Sequence, residues 1–261
     1  MSAARPTLVM LPGTLCDARL FARQRRGLRH AADVCLIDYR GLQPRRGAAS
    51  PADWVRQLLA RLPATFSLAG FSLGGIWALE ILRQAPERVE RLAMIASNAQ
   101  GASAKGKRNS RRQKRLWRQR GAGPLAVLGR GLPNYFHHEA DRRRHRPLLR
   151  RMALATPARS AFAQFALAGS RPEGLATLAR FEGATLIVSG AKDRLCPPRW
   201  QQAMATARPE ARWLELARTG HFVPLEAGSR LTAALQQWLD SPVATATIRS
   251  VNASMGPARF V

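Results

Sequence analysis

Cysteine and long apolar runs are both scarce in this chain, and each scarcity argues against a class of protein. The 261 residues include three cysteines, Cys16, Cys35 and Cys196, an odd number without the spacing of a metal site. A disulfide-stapled secreted fold is therefore disfavoured, and free thiols are expected. No stretch reaches the roughly 18 uninterrupted apolar residues that would span a bilayer. Because the sequence also starts without an apolar leader segment, it predicts a cytoplasmic protein with no membrane span.

Acidic residues and lysines are scarce as well. The chain has 16 Asp and Glu against 42 Lys and Arg, a formal net charge of +26, and only four of the cations are lysines. Between Lys105 and Arg151 lie 16 basic and two acidic residues, a net charge of +14. A positive field of this size attracts anions and polyanions, which favours an acidic partner. A GC-rich genome also enriches arginine, but composition alone would spread it more evenly.

Short apolar runs alternate with segments of helical periodicity along most of the chain. The apolar residues in these runs are consecutive, as expected for parallel strands that are covered on both faces. The predicted strands are Thr7–Leu11, Val34–Ile37, Phe66–Ala69, Leu92–Ala96, Thr185–Ser189 and Arg212–Leu216. The predicted helices are Arg19–His30, Pro51–Leu62, Leu73–Gln84, Pro198–Ala207 and Ser229–Leu239. This alternation predicts an α/β protein with a parallel sheet.

Residues 100–180 interrupt the alternation, because they have helical and loop composition without a clear strand. We interpret this segment, which holds the densest positive charge, as a helical cap inserted into an α/β core. The core would comprise residues 1–99 and 181–240. Residues 241–261 are small and polar, and we expect them to form a flexible tail.

The motif Gly70-Phe71-Ser72-Leu73-Gly74 lies between a predicted strand and a predicted helix. A sharp strand-to-helix turn leaves no room for side chains beside the serine, so glycines are needed on both sides. Such a turn exposes the Ser72 hydroxyl and directs the Leu73 amide, at the positive end of the helix, toward a developing oxyanion. The pattern also occurs in ordinary loops, so a base and an acid are needed to support a catalytic role.

Asp193 and His221 supply those two groups. Each lies in a loop that follows the carboxyl end of a predicted strand, where active sites of open α/β sheets are found. The chain order Ser72, Asp193, His221 is the order of α/β-hydrolases. A serine hydroxyl needs such a base, and the base needs an orienting carboxylate. The sequence therefore predicts a Ser-His-Asp triad.

Four motifs together resemble the α/β-hydrolase fold superfamily. Leu11–Ala18 is similar to its oxyanion loop, Gly70–Gly75 to its nucleophile elbow, Gly190–Asp193 to its acid turn and Gly220–Glu226 to its histidine loop. Within the superfamily the chain resembles pimeloyl-acyl-carrier-protein methyl ester esterases and related small bacterial carboxylesterases. The resemblance covers about residues 6–240 and is strong for the superfamily, but it does not identify one substrate.

The resemblance implies a fold, a site and a reaction. It implies a mostly parallel sheet of about six strands, since the two N-terminal strands of the full fold are not recognised. The backbone amides of Thr14 and Leu73 would form the oxyanion hole, although the family's usual His-Gly is replaced by Pro12-Gly13. The reaction would be hydrolysis of a carboxylic ester or thioester through an acyl-enzyme. The arginine-rich cap would dock an acidic acyl carrier protein that bears the ester.

Three other interpretations are disfavoured. His137-His138-Glu139 lacks the His-Glu-x-x-His spacing of zinc proteases, and adjacent side chains should point apart, so no metal or cofactor is predicted. The basic stretch 105–120, with Trp117 for stacking, resembles a nucleic-acid-binding arm but carries no recognised motif of that kind. A non-catalytic scaffold recruited through a basic cap is the main alternative function, and an intact triad argues against it.

Overall fold

The computed structural model describes residues 5–41, 50–119 and 123–242. Its centre is a sheet of six strands in the order β2-β1-β3-β4-β5-β6, and every neighbouring pair is parallel. The strands are β1 (Thr7–Leu11), β2 (Asp33–Leu36), β3 (Phe66–Phe71), β4 (Val89–Ile95), β5 (Ala184–Gly190) and β6 (Arg212–Leu216). The six-stranded parallel sheet predicted from the sequence is confirmed.

The helices before and after the interruption cover both faces of the sheet. They are α1 (Ala22–Leu28), α2 (Pro51–Leu59), α3 (Leu73–Gln84), α9 (Pro198–Ala207), α10 (Val223–Glu226) and α11 (Gly228–Leu239). Five helices lie between β4 and β5: α4 (Ala104–Arg118), α5 (Gly123–Gly131), α6 (Glu139–Ala155), α7 (Ala158–Ser170) and α8 (Leu175–Ala179). None of the helices in the described part of the chain is long and apolar enough to cross a membrane.

Side chains of alternate residues in the central strands pack into two separate apolar layers, one on each face of the sheet. In β1, Leu8 and Met10 pack in the layer that contains α1 and α11, whereas Val9 and Leu11 pack in the layer that contains α2 and α3. All four side chains are fully buried. Both faces are therefore covered, which is why the strands read as continuous apolar runs rather than as alternating ones.

Residues 100–180 (the insertion) pack partly through an aromatic cluster of their own. The Trp117 ring of α4 lies edge-on to Phe162 and Phe165 of α7, with ring centroids 6.2 and 6.1 Å apart. Trp117, which the disfavoured nucleic-acid interpretation would use for stacking on a base, is thus part of a packed aromatic cluster within the insertion.

Ser241, the first residue of the predicted tail, is held to the sheet by hydrogen bonds. The carbonyl of Ser241 accepts hydrogen bonds from Arg91 Nη2 and Nε, at 2.9 and 3.1 Å. Arg91 is itself buried on β4, so this contact ties the end of α11 to the sheet. Residues 243–261, on which most of the tail prediction falls, lie outside the described residues.

Candidate active site

Ser72 occupies the turn between β3 and α3 in a strained conformation, with φ 53° and ψ −115°. Its amide donates to the carbonyl of Ile95 at 2.9 Å, and its carbonyl accepts from Ser97 Oγ at 2.7 Å. The flanking glycines are required by close backbone contacts. A Cβ on Gly70 would lie 2.4 Å from the carbonyl of Gly74, and a Cβ on Gly74 would lie 2.0 Å from the carbonyl oxygen of Leu11. The strain holds the Ser72 side chain, which is only half-buried, out of the sheet.

The structure brings Ser72, His221 and Asp193 into one hydrogen-bonded chain. His221 Nε2 lies 2.9 Å from Ser72 Oγ, and His221 Nδ1 lies 2.8 Å from Asp193 Oδ2. With the carboxylate as acceptor, Nδ1 carries the ring proton and Nε2 is left to accept from the serine hydroxyl. The imidazole is also packed against Phe71, with ring centroids 5.2 Å apart. The predicted serine, base and acid thus lie within direct hydrogen-bond reach.

Asp193 is held in place by the turn that follows it. Its Oδ1 accepts hydrogen bonds from the amides of Leu195 and Cys196, at 2.7 and 2.8 Å. One oxygen is thus used by the backbone and the other by His221, so the carboxylate cannot rotate without losing several bonds. Asp193 and His221 are both buried, which strengthens the hydrogen bond between them.

The candidate active site also contains side chains of the kinds that bind metal ions. Within the described residues, one group of this kind is found, formed by Asp193, Cys196 and His221, whose donor atoms lie within 4.8 Å of one another. Burial raises the pKa of the Cys196 thiol far above its ordinary value. Because the ring Nδ1 and both carboxylate oxygens are already engaged, this set does not fit a metal ion.

The residues predicted to supply the oxyanion hole, Thr14 and Leu73, directly follow Gly13 and Ser72 in the chain. If Gly13 carried a Cβ, that atom would lie 3.4 Å from Ser72 Cβ, so the loop that carries Thr14 passes close to the serine. Leu73 is the first residue of α3, whose first amides have no partner inside the helix. Neither amide donates to an acceptor in the described ranges. Both are therefore free to bind a developing negative charge.

The histidine loop is fixed by the insertion. The carbonyl of Tyr135 accepts from the amides of His221 and Phe222, at 2.9 and 3.2 Å. Glu226 Oε2 accepts from the amides of Gly220 and His137, at 2.9 and 2.8 Å. Burial raises the pKa of the Glu226 carboxyl, and the amides that donate to it oppose that shift. Glu226 thus links the loop around the base to residues of the insertion.

Sequence reasoning gave no role to three side chains that support the site. Ser97 bonds the Ser72 carbonyl, Glu226 holds the histidine loop and Gln164 accepts from the amide of Leu15, at 2.8 Å. Gln164 had a usable signal, since it is a single polar residue within the apolar helical run Ala161–Leu167. Buried polar side chains need a partner, so such a residue marks a contact with another element.

His137 and His138 do not point apart as the sequence predicted. Their ring centroids are 4.2 Å apart, because the chain turns there into α6. Burial and the positive charges of His138, Lys192, Arg218 and Arg194 lower the pKa of His137. His137 therefore lies near several cationic side chains at this edge of the molecule.

Most of the cations of α4 are exposed, although Lys114 is half-buried and the Arg118 guanidinium lies over the Phe162 ring, 5.0 Å from its centroid. Within the described residues, none of them forms a salt bridge with an acidic side chain; they are Lys105, Lys107, Arg108, Arg111, Arg112, Lys114, Arg115 and Arg118. The two acids of the window lie on α6, where Glu139 pairs with Arg142 and Arg143. Within the described residues, the positive charge of α4 is thus not neutralised by salt bridges.

The sheet and the hydrogen-bonded chain define a class of protein. A parallel sheet with a strained serine after a central strand, followed in the chain by an aspartate and a histidine on later loops, is the arrangement of the α/β-hydrolase fold. The chain matches the alpha/beta hydrolase family over residues 8–235 and belongs to that family. The resemblance predicted from the four motifs is confirmed.

Similar proteins of known kind are esterases and related enzymes. A pimeloyl-[acyl-carrier protein] methyl ester esterase of Nitrosomonas europaea is 34% identical over 94 residues, which span 35% of this chain and only 37% of that protein. A malate-bound thermophilic esterase of Thermogutta terrifontis superposes with a TM-score of 0.80 and 26% identity, covering 90% of this chain and 89% of the other. An enol-lactonase of Burkholderia xenovorans has a TM-score of 0.77, 18% identity and coverage of 92% and 93%, which shows the shared fold alone.

Proposed function

We propose that this protein is a serine esterase that hydrolyses a carboxylic ester or thioester through an acyl-enzyme. The observation that carries the proposal is the chain of two hydrogen bonds from Ser72 Oγ through the His221 ring to Asp193, at 2.9 and 2.8 Å. Membership of the alpha/beta hydrolase family and the similarity to a thermophilic esterase support it.

In the first step, Ser72 Oγ bonds to the ester carbonyl carbon while His221 Nε2 takes the hydroxyl proton. The tetrahedral intermediate then collapses, the bond to the leaving alcohol breaks, and His221 returns the proton to the leaving oxygen. Asp193 stabilises the imidazolium and fixes its orientation. A water molecule, deprotonated by the same nitrogen, attacks the acyl-enzyme carbonyl; the bond to Ser72 Oγ then breaks, His221 returns the proton to Oγ, and the acid is released.

The amides of Thr14 and Leu73 stabilise the oxyanion of the tetrahedral intermediates. Loss of one such donor in a serine hydrolase lowers kcat by about 10²- to 10³-fold. Because both donors belong to the backbone, their position depends on the loops that carry them. Pro12 in place of the family's histidine leaves the Thr14 amide unchanged as a donor, since proline removes only its own N–H.

We propose further that the insertion acts as a cap and docks an acidic acyl carrier protein that presents the ester. The exposed cations of α4, such as Arg108, Arg111 and Arg115, support this, because arginine binds carboxylates and phosphates through paired hydrogen bonds. The similarity to an esterase that acts on a carrier-bound methyl ester points the same way. We place the enzyme in the cytoplasm, where such carriers and three free thiols are compatible.

The esterase proposal is tested with a series of acyl esters of increasing chain length, free and carrier-bound. Wild-type protein should hydrolyse members of the series, and Ser72→Ala should lower turnover by at least about 10⁴-fold. Near-normal hydrolysis by purified Ser72→Ala would show that another group performs the reaction.

Carrier docking is tested by removing charge at matched places. The double variant Arg111→Gln/Arg115→Gln neutralises two exposed cations of α4, and Arg25→Gln/Arg26→Gln removes the same charge from exposed positions of α1. Only the α4 variant should lower kcat/KM for the carrier-bound ester, and neither should affect a short p-nitrophenyl ester. An equal response of the two variants would contradict docking on α4.

A further inference from the structure

The insertion contacts the oxyanion loop through one buried side chain. Gln164 lies on α7 and is only 2% exposed. Its Oε1 accepts a hydrogen bond from the amide of Leu15 at 2.8 Å, across 149 residues of sequence. Only the oxygen of a carboxamide can accept, so this bond also fixes which way the Gln164 side chain is turned.

Leu15 is the residue at which the oxyanion loop is strained. The amide of Cys16 donates to the carbonyl of Gly13 at 3.1 Å, which closes a four-residue turn with Thr14 and Leu15 at its centre. Leu15 has φ 56°, and Thr14 does not have a positive φ. A turn in which the third residue has a positive φ and the second does not is a type II turn. Such a turn favours glycine or asparagine at its third residue.

A leucine at this position favours the other form of the turn. Type I and type II turns differ by a flip of the central peptide, which here joins the Thr14 carbonyl to the Leu15 amide. In the flipped form Leu15 would have a relaxed negative φ, and its amide would no longer point at Gln164. The hydrogen bond to Gln164 therefore holds the turn in the form that its own sequence disfavours.

The same helix also supports the other end of the loop. Tyr39 Oη donates to the carbonyl of Pro12 at 2.9 Å, and Ser160 Oγ of α7 donates to the carbonyl of Tyr39 at 3.2 Å. Gly13 and Thr14, which carry the candidate oxyanion donor, thus lie between two anchor points that lead to α7. Thr14 itself makes no such contact through its amide, so its orientation is set by its neighbours.

The helix that carries Gln164 is fixed by the basic helix. Ser110 of α4 is buried, and its Oγ donates to the carbonyl of Phe165, the residue after Gln164, at 2.5 Å. The two helices pack so closely that a Cβ on Gly169 would lie 2.6 Å from Ser110 Cβ. The position of Gln164 is therefore determined by the packing of the insertion rather than by the sheet.

We propose that Gln164 is a positioning residue of the oxyanion hole: it anchors the Leu15 end of the Gly13–Cys16 turn, as Tyr39 anchors the Pro12 end, and so holds the loop that carries the Thr14 amide in place beside Ser72. The proposal rests on the esterase function proposed above. It assigns to the insertion a part in the chemical step itself, in addition to any part in binding substrate.

The test compares Gln164→Met, which keeps the side-chain volume and removes the acceptor, with wild type. The matched control is Gln84→Ala, because the Gln84 carboxamide joins α3 to α2 at the end of α3 remote from Ser72. The concentration of active sites is found by titrating each protein with a fluorophosphonate until the reaction is complete. The value of kcat is then calculated per active site. A trifluoromethyl ketone, which forms a tetrahedral adduct with the serine, serves as the oxyanion probe.

Gln164→Met should lower kcat by about 10- to 100-fold, less than the 10²- to 10³-fold for complete loss of a donor, with KM changed by less than about threefold. Its inhibition constant for the trifluoromethyl ketone should rise by the same factor, and Gln84→Ala should show neither change. A purely structural role would lower the number of titratable sites and leave kcat per site and the inhibition constant unaltered, which would overturn the proposal.

Two further measurements apply if Gln164→Met does not fold. Gln164→Ala removes the same acceptor with less bulk, and it should give the same paired change in kcat and inhibition constant. In wild-type protein, amide hydrogen exchange at Leu15 should be protected, and exchange at the rate of a free amide would overturn the proposal. Failure of the esterase function would be seen separately, as a wild-type protein without Ser72-dependent hydrolysis.

Discussion

Gly74→Ala tests whether the close approach of β1 to α3 builds the site around Ser72. A methyl group at this position would lie 2.0 Å from the carbonyl oxygen of Leu11 and 2.7 Å from its carbon. Ordinary contacts of a Cβ begin near 3.4 Å. Both partners are backbone atoms, so no side-chain rotation can relieve the overlap. The strand and the helix must therefore move apart by about 1 Å or more.

The expected loss of stability follows from two opposing contributions. Overpacking of this kind costs about 3 kcal/mol, the upper part of its usual range, because backbone must shift. Alanine in place of glycine within a helix recovers about 1 kcal/mol. The net loss of about 2 kcal/mol corresponds to a fall in Tm of about 4–8 °C for a domain of this size. Displacement of the adjacent Leu73 amide by about 1 Å should also lower kcat about 100-fold.

The assay is thermal unfolding followed by circular dichroism, together with kcat on a p-nitrophenyl ester. Gly129→Ala is the matched control, since Gly129 also lies in a helix and no atom lies within 4 Å of an added Cβ. The control should keep wild-type kcat and have an equal or higher Tm. The account of the turn is refuted if Gly74→Ala has the Tm and kcat of wild type.

Three further predictions concern the acid, the histidine loop and the aromatic cluster. Asp193→Asn should lower kcat by about 10⁴-fold with little change in Tm, because the imidazole loses the carboxylate that fixes its tautomer; comparable turnover in steady-state assays would contradict this. Because burial raises the pKa of Glu226, the folded state binds its proton more tightly than the unfolded state, and stability declines as pH rises from the ordinary carboxyl range through the raised value. Urea unfolding should show that decline in wild type relative to Glu226→Gln, and a pH-independent difference would argue against it. Trp117→Ala should destabilise the protein by about 3–5 kcal/mol, the usual cost of truncating a packed aromatic residue, and its half-burial favours the lower end; an unchanged urea midpoint would show that the cluster contributes little.

The core of the fold could be predicted because local and tertiary signals agree there. The predicted helix Leu73–Gln84 and strand Thr7–Leu11 have the observed bounds, since both are apolar segments ended by glycine or proline or by a change in polarity. Ser72, Asp193 and His221 could be placed together because the carboxyl ends of parallel strands meet at one edge of the sheet.

The contacts of the insertion could not be predicted in the same way. Helical composition does not specify which face of α7 meets the sheet, so the bond from Leu15 to Gln164 was not expected. The position of Trp117 among arginines does not indicate that its ring packs against Phe162 and Phe165. Burial depends on the neighbouring helices, and composition within one helix does not report it.

The most direct test of the central claim is to trap the acyl-enzyme. A slowly deacylated p-nitrophenyl ester is mixed with the protein, the reaction is quenched with acid, and the digested protein is analysed by mass spectrometry. The account predicts one acyl group on Ser72 in wild type, and none in Ser72→Ala. Hydrolysis by wild type without a Ser72 adduct, together with retained hydrolysis by Ser72→Ala, would contradict it.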